Sequence, residues 1–544
     1  MSSFLRKLQK RNSFDLSESN ALSLRMGDLV PIYVNHLVPG DTFDIESFLA
    51  ARFAPMQSPI SSDIEIKTWG FATPYRLLWD DSDDFFKGKN KRGDDVDPVF
   101  PRVDYSRITS EMSGINEIAR HKVIGSLSDY LDLSHKDFDP TSLPADLADI
   151  FRSFPVESVL ELRNYQMIYN EWFRDQNVDE PVEFLTDSHV YSPSADGDVR
   201  DLNELKELLT LRKKRWAKDY FTSALPTPSL APDVEIPIHG EIGLADVDKQ
   251  AKLVHSQTNS GISGTLQATS SNGLTSVGNY RAKIDPNGTL EYDNNSTIRE
   301  LTLARATYQY LLDVARGGAV RMKDWVRTMF NVDLPDYRAM IPEYIGGGTQ
   351  NVIVNEVLQT SETSETPQGN MSGRATSIGK GHKFHYKAKE HTIIMIIACV
   401  MPRPLYGSGL PKRHFKFDRF DYYLPQFDHI GDQEIKRKEL FYNEDKEKSE
   451  ETFGYSPRFS EYKSSCNRIH GQFRTTLHFW TMARLFNNYP SLSSAFLEPD
   501  DRLLDRPFYV QSGDTNPELE HVYLEVGSRV TAWRPMSKNS TPIV

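Results

Sequence analysis

The sequence predicts a mainly β fold: one large antiparallel β domain whose connecting loops have grown long and partly helical. Three observations carry this. Alternating apolar runs occupy both ends of the chain, helical periodicity fills much of the middle, and a stretch too polar to build a core interrupts it. The length, 544 residues, would allow several domains, but all-β folds often run long as single units. The 29 Phe, 24 Tyr and 7 Trp are enough to fill one large core.

The first residues carry Arg6, Lys7, Lys10 and Arg11 and no acid, so 1–20 reads as a short basic arm able to touch phosphate or a neighbouring subunit. Residues 21–544 then read as the β domain. Val30-Pro-Ile-Tyr-Val leads to the turn Pro39-Gly40-Asp41, and Thr42 to Phe48 alternates on Phe43, Ile45 and Phe48. Ile64-Glu-Ile-Lys-Thr-Trp alternates too and continues toward Tyr75.

Residues 81–220 break the pattern as a helical insertion. Its start reads as an acidic loop: Asp80, Asp81, Asp83 and Asp84 are followed by Asp94, Asp95 and Asp97 around Gly88 and Gly93. Such a loop offers carboxylate oxygens to Ca²⁺, though the spacing fits no EF-hand. Val156 to Asp175 lacks Gly and Pro and repeats Val159, Leu162, Gln166, Tyr169 and Trp172/Phe173 at helical steps. Leu202 to Tyr220 reads as a second helix. It ends in the cluster Arg212, Lys213, Lys214, Arg215 and Lys218 around Trp216, either a solvated face or a nucleic-acid or subunit contact.

Residues 240–296 form a polar excursion. Of the 43 residues 255–297, 24 are Ser, Thr, Asn or Gly, which excludes a core of their own size and places them outside. Asn272-Gly273 and Asp285-Pro-Asn-Gly288 mark turns within it. A helical segment, 297–340, follows. Thr297 and Glu300 make a capping box, Gly317-Gly318 stops the first helix, and Val320 to Phe330 reads as a second.

Strand patterns return with Asn351-Val-Ile-Val-Asn, Lys383-Phe-His-Tyr-Lys and His391-Thr-Ile-Ile-Met-Ile-Ile-Ala-Cys-Val, the last apolar on both faces as a central strand should be. Arg506-Pro-Phe-Tyr-Val and Glu518 to Val526 close the set. Gly346-Gly347-Gly348 reads as a flexible turn.

No chemistry announces itself. There is no nucleophile elbow, zinc-protease helix, phosphate loop or dinucleotide fingerprint. His382, His385 and His391 cluster, but 382 and 385 point to opposite faces of a strand, a poor chelate. Two cysteines, Cys399 and Cys466, exclude a disulfide framework and point to a reducing compartment. The opening residues lack the apolar run of a secretory signal, and the longest apolar run, Ile393 to Met401, is about half of what a bilayer needs. Acids exceed bases by 76 − 63 = 13, which disfavours a highly basic nucleic-acid coat.

Five blocks in order resemble the major capsid proteins of Microviridae, small single-stranded DNA bacteriophages, in a gokushovirus-like branch. They are Arg11-Asn-Ser-Phe-Asp15, Arg163 to Asn177, Asp219-Tyr-Phe-Thr-Ser-Ala-Leu-Pro226, Ala315-Arg-Gly-Gly318 with Pro342 to Gly348, and Phe453 to Lys463. The resemblance implies an eight-stranded antiparallel jelly roll with long loop insertions and no catalysis. It implies about sixty copies closing into a T=1 icosahedral shell around circular single-stranded DNA. It also implies a virion location, assembly in the host cytoplasm, and no membrane insertion. The implied partners are an internal scaffolding protein, a small basic DNA-binding protein, a DNA pilot protein and a host-cell surface receptor. No cofactor is expected beyond candidate Ca²⁺ at subunit contacts, with Asp80, Asp81, Asp83 and Asp84 the ligands in view. Within that reading the basic arm faces the interior and 240–296 is a surface protrusion. The rivals are an all-β glycan-binding or glycan-hydrolysing protein and a monomeric binding module.

Overall fold

The structure, a computed structural model, describes residues 11–107, 115–135, 154–192, 199–228, 321–358, 371–379, 381–428, 431–508 and 520–538, together with short stretches between 240 and 310. Its principal strands, in chain order, are β1 (Asn12–Asp15), β2 (Glu18–Leu24), β3 (Val30–Leu37), β4 (Thr42–Phe53), β5 (Ile64–Pro74), β6 (Glu343–Asn351), β7 (Ile353–Leu358), β8 (Met371–Ile378), β9 (His382–Lys387), β10 (Thr392–Pro402) and β11 (Val522–Arg534).

These strands make two antiparallel layers. In layer one, β1 and β2 pair with β11, β11 with β4, and β4 with both β8 and β9; β7 adds an edge beyond β8. Layer two runs β6-β5-β10-β3. With β1/β2 and β8/β9 each counted as one broken strand, and β7 set aside as an added edge, the eight main strands are ordered 1-8-3-6 and 5-4-7-2. That alternation between facing sheets is the wiring of a jelly roll.

Period-2 burial explains why the layers face one another. On β4, Phe43, Ile45, Leu49, Ala51 and Phe53 are buried, and on β11 Val522, Leu524, Val526, Val530 and Ala532. They join Ile64 and Ile66 of β5 and Ile394, Ile396, Ala398 and Val400 of β10 in one core. Each of the Val, Leu, Ile and Phe side chains contributes about 1.5–3 kcal/mol on burial, and the alanines less. The turn between β3 and β4 is the predicted Pro39-Gly40-Asp41. Gly40 sits at φ +94°, where a side chain would be strained, and buried Asp41 accepts from the Val38 amide at 3.0 Å and from Arg534 Nε at 2.9 Å.

The opposite face of layer two is covered as well. Phe71, Met395, Ile397, Cys399 and Met401 pack against the helical insertion. There α1 (Ser82–Lys87), α2 (Leu160–Ile168) and α3 (Val199–Leu209) are held by a small sheet of 102–103, 157–158 and 190–191. Val159, Leu162, Gln166 and Tyr169 are buried, as their spacing predicts, and a wider turn carries the helix on to Phe173. β10 is therefore buried on both faces along its whole length.

Four expectations need correction. Asp80–Asp84 is not loop but leads into α1, because acids suit the first turn of a helix dipole and Gly88 closes it in left-handed geometry. The helix expected from Leu202 to Tyr220 stops at Leu209; beyond it the chain runs extended, with Lys213 bridged to Asp28 and Gln166 Nε2 donating to the carbonyls of Leu208 and Thr210. Gly346-Gly347-Gly348 is not a turn but the middle of β6. A Cβ at Gly347 would lie 2.5 Å from the Thr68 carbonyl oxygen, and one at Gly348 would strike the His382 ring, so glycine is what lets this strand lie against its neighbours. Arg506-Pro-Phe-Tyr-Val gives only an isolated bridge between Phe508 and Met56, and Tyr509 and Val510 lie outside the described residues.

Residues 229–317 form a compact unit of their own, wider than the predicted excursion. Within it, antiparallel pairs nest: Gly240–Leu244 with Leu290–Asn294, Lys252–His255 with Tyr280–Lys283, and Gln267–Ala268 with Leu274–Thr275. The two predicted turn signals, Asn272-Gly273 and Asp285-Pro-Asn-Gly288, lie outside the described residues. Of the helical segment, 302–307 is helical and α4 spans Met322–Phe330; Thr297 and Glu300 lie outside the described residues.

Candidate functional site

The insertion that covers layer two also gathers the basic cluster, and each of its cations has a partner inside the chain. Arg212 donates to Gln166 Oε1 at 2.9 Å, pairs with Glu207 at 2.6 Å and lies 5.5 Å over the Tyr169 ring. Lys213 pairs with Asp501. Lys214 lies 5.7 Å over the Trp69 ring, and burial depresses its pKa. Arg215 reaches Asp179 at 2.8 Å and also pairs with Glu498. Lys218 pairs with Asp175. These charges tie the insertion to the segment around 494–501, and Trp216 between them is buried.

The other predicted residues are placed apart. Arg6, Lys7 and Lys10 lie outside the described residues, and Arg11 sits at the mouth of the Gly40 turn. Asp80 and Asp81 accept from Thr186 and Ser188, while Asp83 and Asp84 face Lys87. His382 bonds Thr68 at 2.5 Å, His385 bonds Asp44 at 2.5 Å, and His391 stacks on Phe86 with centroids 4.0 Å apart. Among the described residues no three His, Cys, Asp or Glu side chains converge in a way that would hold a metal ion. Both cysteines are free, and burial pushes each thiol up to about 12.

Two buried charge groups lie elsewhere. Lys122 Nζ is 2.8 Å from Glu157, which also accepts from Tyr105 at 3.1 Å and from the Ser134 amide at 2.7 Å. Burial lowers the Lys122 pKa against the pull of Glu157. Asp28 is pushed up to about 7 by burial, with Lys213 and Arg25 opposing and Asp501 and Glu520 adding. A cavity of about 1,420 Å³ beside α2 and α3 is lined by Glu180, Glu183, Glu204 and Glu207. Glu204 is occupied by the Tyr191 hydroxyl at 2.6 Å and Glu207 by Arg212 at 2.6 Å.

What the sequence reading missed is a basic aromatic surface on the lobe that packs around Tyr406, Phe453 and Phe496. Segments 411–428 and 458–478 build it. Phe417 is 89% exposed, and Phe420, Tyr422, Tyr423 and Tyr462 are also exposed. The segments interlock: Lys416 lies 4.1 Å over the Tyr462 ring and pairs with Glu461 at 2.5 Å, and Lys463 pairs with Asp428 at 3.2 Å. The only available signal was the interleaving Lys412-Arg-His-Phe-Lys-Phe-Asp-Arg-Phe420, which has no strand or helix period.

A model of the family described as "Capsid protein (F protein)" matches residues 3–544. Among curated proteins, the chain is similar to the capsid protein VP1 of Bdellovibrio phage phiMH2K, 29% identical over 98% of this chain and 95% of that protein. It is 28% identical to the capsid protein VP1 of Chlamydia phage 1, over 92% of each. The capsid protein VP1 of Spiroplasma virus 4 is 26% identical over 98% of this chain and 95% of its own length.

Proposed function

The chain belongs to the capsid protein (F protein) family, and from that premise we propose that about sixty copies close into a T=1 icosahedral shell around circular single-stranded DNA. The match across residues 3–544 carries this reading, because it spans the β layers and the insertions together. The subunit does its work by burying surface against identical neighbours, and closed symmetry multiplies moderate contacts into a cooperative shell.

The fold supplies surface for that. Among the described residues, Phe48, Tyr523 and Trp533 stand exposed on the outer face of layer one, and α4 presents Met322 and Phe330. Aromatic and Met side chains are enriched at protein–protein interfaces, so these exposed positions are available for contact with a neighbouring copy. No catalytic step is assigned; the subunit is structural. Residues 240–296 serve as the variable surface protrusion that meets a host receptor. An internal scaffolding protein, a small basic DNA-binding protein and a DNA pilot protein act as companions in assembly, which takes place in the host cytoplasm. Among the described residues no helix is long and apolar enough to cross a membrane.

Charge constrains the arrangement. About sixty copies at −13 give the shell roughly −800 formal charges, so it cannot neutralise DNA by its net charge. Local cationic surfaces, the arm with Arg6, Lys7, Lys10 and Arg11, and the basic companion must face the genome. Electron microscopy and sedimentation of the protein expressed with its companions test the reading. A multi-megadalton spherical particle is expected; a chain that stays monomeric overturns it.

A further inference from the structure

In a chain of net charge −13, segments 411–428 and 458–478 carry 8 Lys and Arg against 4 Asp and Glu. The four acids are all engaged within the lobe. Asp421 accepts from the amides of Phe417 and Asp418, each at 3.0 Å, and Asp418 accepts from the Phe420 amide at 3.4 Å. Asp428 takes Lys463, and Glu461 takes Lys416 and Gln433. Among the described residues, none of Arg413, Arg419, Arg468 and Arg474 has a carboxylate within ion-pairing distance.

The geometry around these arginines is that of a receptor. A cavity of about 500 Å³ is lined by Arg413, Arg468, Tyr422 and Tyr462 together with Glu439 and Glu461. Burial holds Arg468 below the usual guanidinium range; Cys466 and Glu439 oppose this, while Arg413 and Arg474 add to it as neighbouring like charges. Phe417 is not among the residues lining this cavity, and its side chain is 89% exposed.

We propose that this lobe surface binds single-stranded DNA, its phosphates held by Arg413 and Arg468 and its bases stacked on the exposed rings of Phe417, Tyr422 and Tyr462. Unpaired cations beside exposed rings suit a flexible strand whose bases are free to stack; duplex DNA hides those faces. The same surface reconciles an acidic shell with an acidic genome, since it concentrates positive charge where the net charge is negative. This inference rests on the reading of the chain as a shell that encloses single-stranded DNA.

The test uses the full-length chain and a fluorescent oligothymidylate, with anisotropy measured over a salt series. Phe417→Ala should weaken binding roughly five- to a hundredfold, the range for one stacked base, and leave the salt slope unchanged. Arg413→Ala with Arg468→Ala should flatten the slope of log K against log salt by about 1.4, two phosphate contacts' worth. The wild-type chain should prefer oligothymidylate to a duplex of the same length. Unchanged affinity and slope in both variants overturn the proposal. If the variants keep DNA affinity but lose particle formation, the surface is a subunit contact and the proposal falls, while the capsid reading stands. Because the Phe417 ring is 89% exposed, its variant remains a fair probe if the double arginine variant folds poorly.

Discussion

Asp28 lies at the corner between β2 and β3 among Arg25, Lys213, Asp501 and Glu520, and burial raises its carboxyl to about 7. The folded chain therefore holds this proton more tightly than the unfolded chain, whose carboxyl titrates near the usual 3.9. Stability contributed here is complete below about pH 4 and declines as the pH rises toward 7, by a few kcal/mol at most. Asp28→Asn should flatten that decline, and urea unfolding at pH 4, 5.5 and 7 reads it. Lys122 poses the opposite case, a buried cation whose carboxylate also serves Tyr105 and Ser134. Lys122→Met should cost about 3–5 kcal/mol by stranding Glu157, and adding Glu157→Gln should recover part of the loss. Denaturant midpoints of the two variants decide it. Neither group was visible in the sequence, because both depend on which distant segments meet. The basic run from Arg212 to Lys218 was visible, but its internal partners on the 175–179 and 494–501 segments were not.

At the scale of elements, patterning located β3, β4, β5 and β9 well, and the double-faced apolar run became the central strand β10, but β11 begins at Val522 rather than Glu518 and runs eight residues past the expected Val526. The errors share one cause. Local composition cannot register what a second strand or a buried side chain demands of the backbone. Gly346–Gly348 looks like a turn until β5 is laid beside it, and the helical pattern after Leu202 continues on paper past the point where Gln166 takes the carbonyls of Leu208 and Thr210. The glycines give a clean contrast. Gly347→Ala places a methyl against the Thr68 carbonyl and should destabilise by more than about 2 kcal/mol, whereas Gly527→Ala on β11 meets nothing within 4 Å and should stay within about 0.5 kcal/mol of wild type. Thermal melting of the two variants side by side tests the difference.

For the whole molecule, the predominance of antiparallel β structure was legible, because strand alternation recurs in short runs at both ends of the chain. The pairing order of the layers came from the resemblance and not from the pattern, since alternation fixes a strand's faces but not its neighbours. The excursion makes a prediction at this scale. Leu244 and Leu290 are directly paired, and among the described residues no core cluster draws on 229–317. Replacing residues 245–289 with an Asn-Gly turn should keep the melting temperature within a few degrees, because a two-residue hairpin closes that pair. Calorimetry checks it, and a collapse of the fold would show that the excursion supports the layers. β10 has the reverse character. It lends alternate side chains to the core between the layers and to the one beneath the helices, so neither can be opened without wetting the other. Heat should accordingly dissolve the sandwich and its helical cover in a single step, and an arriving neighbour would meet a subunit already rigid through its full thickness.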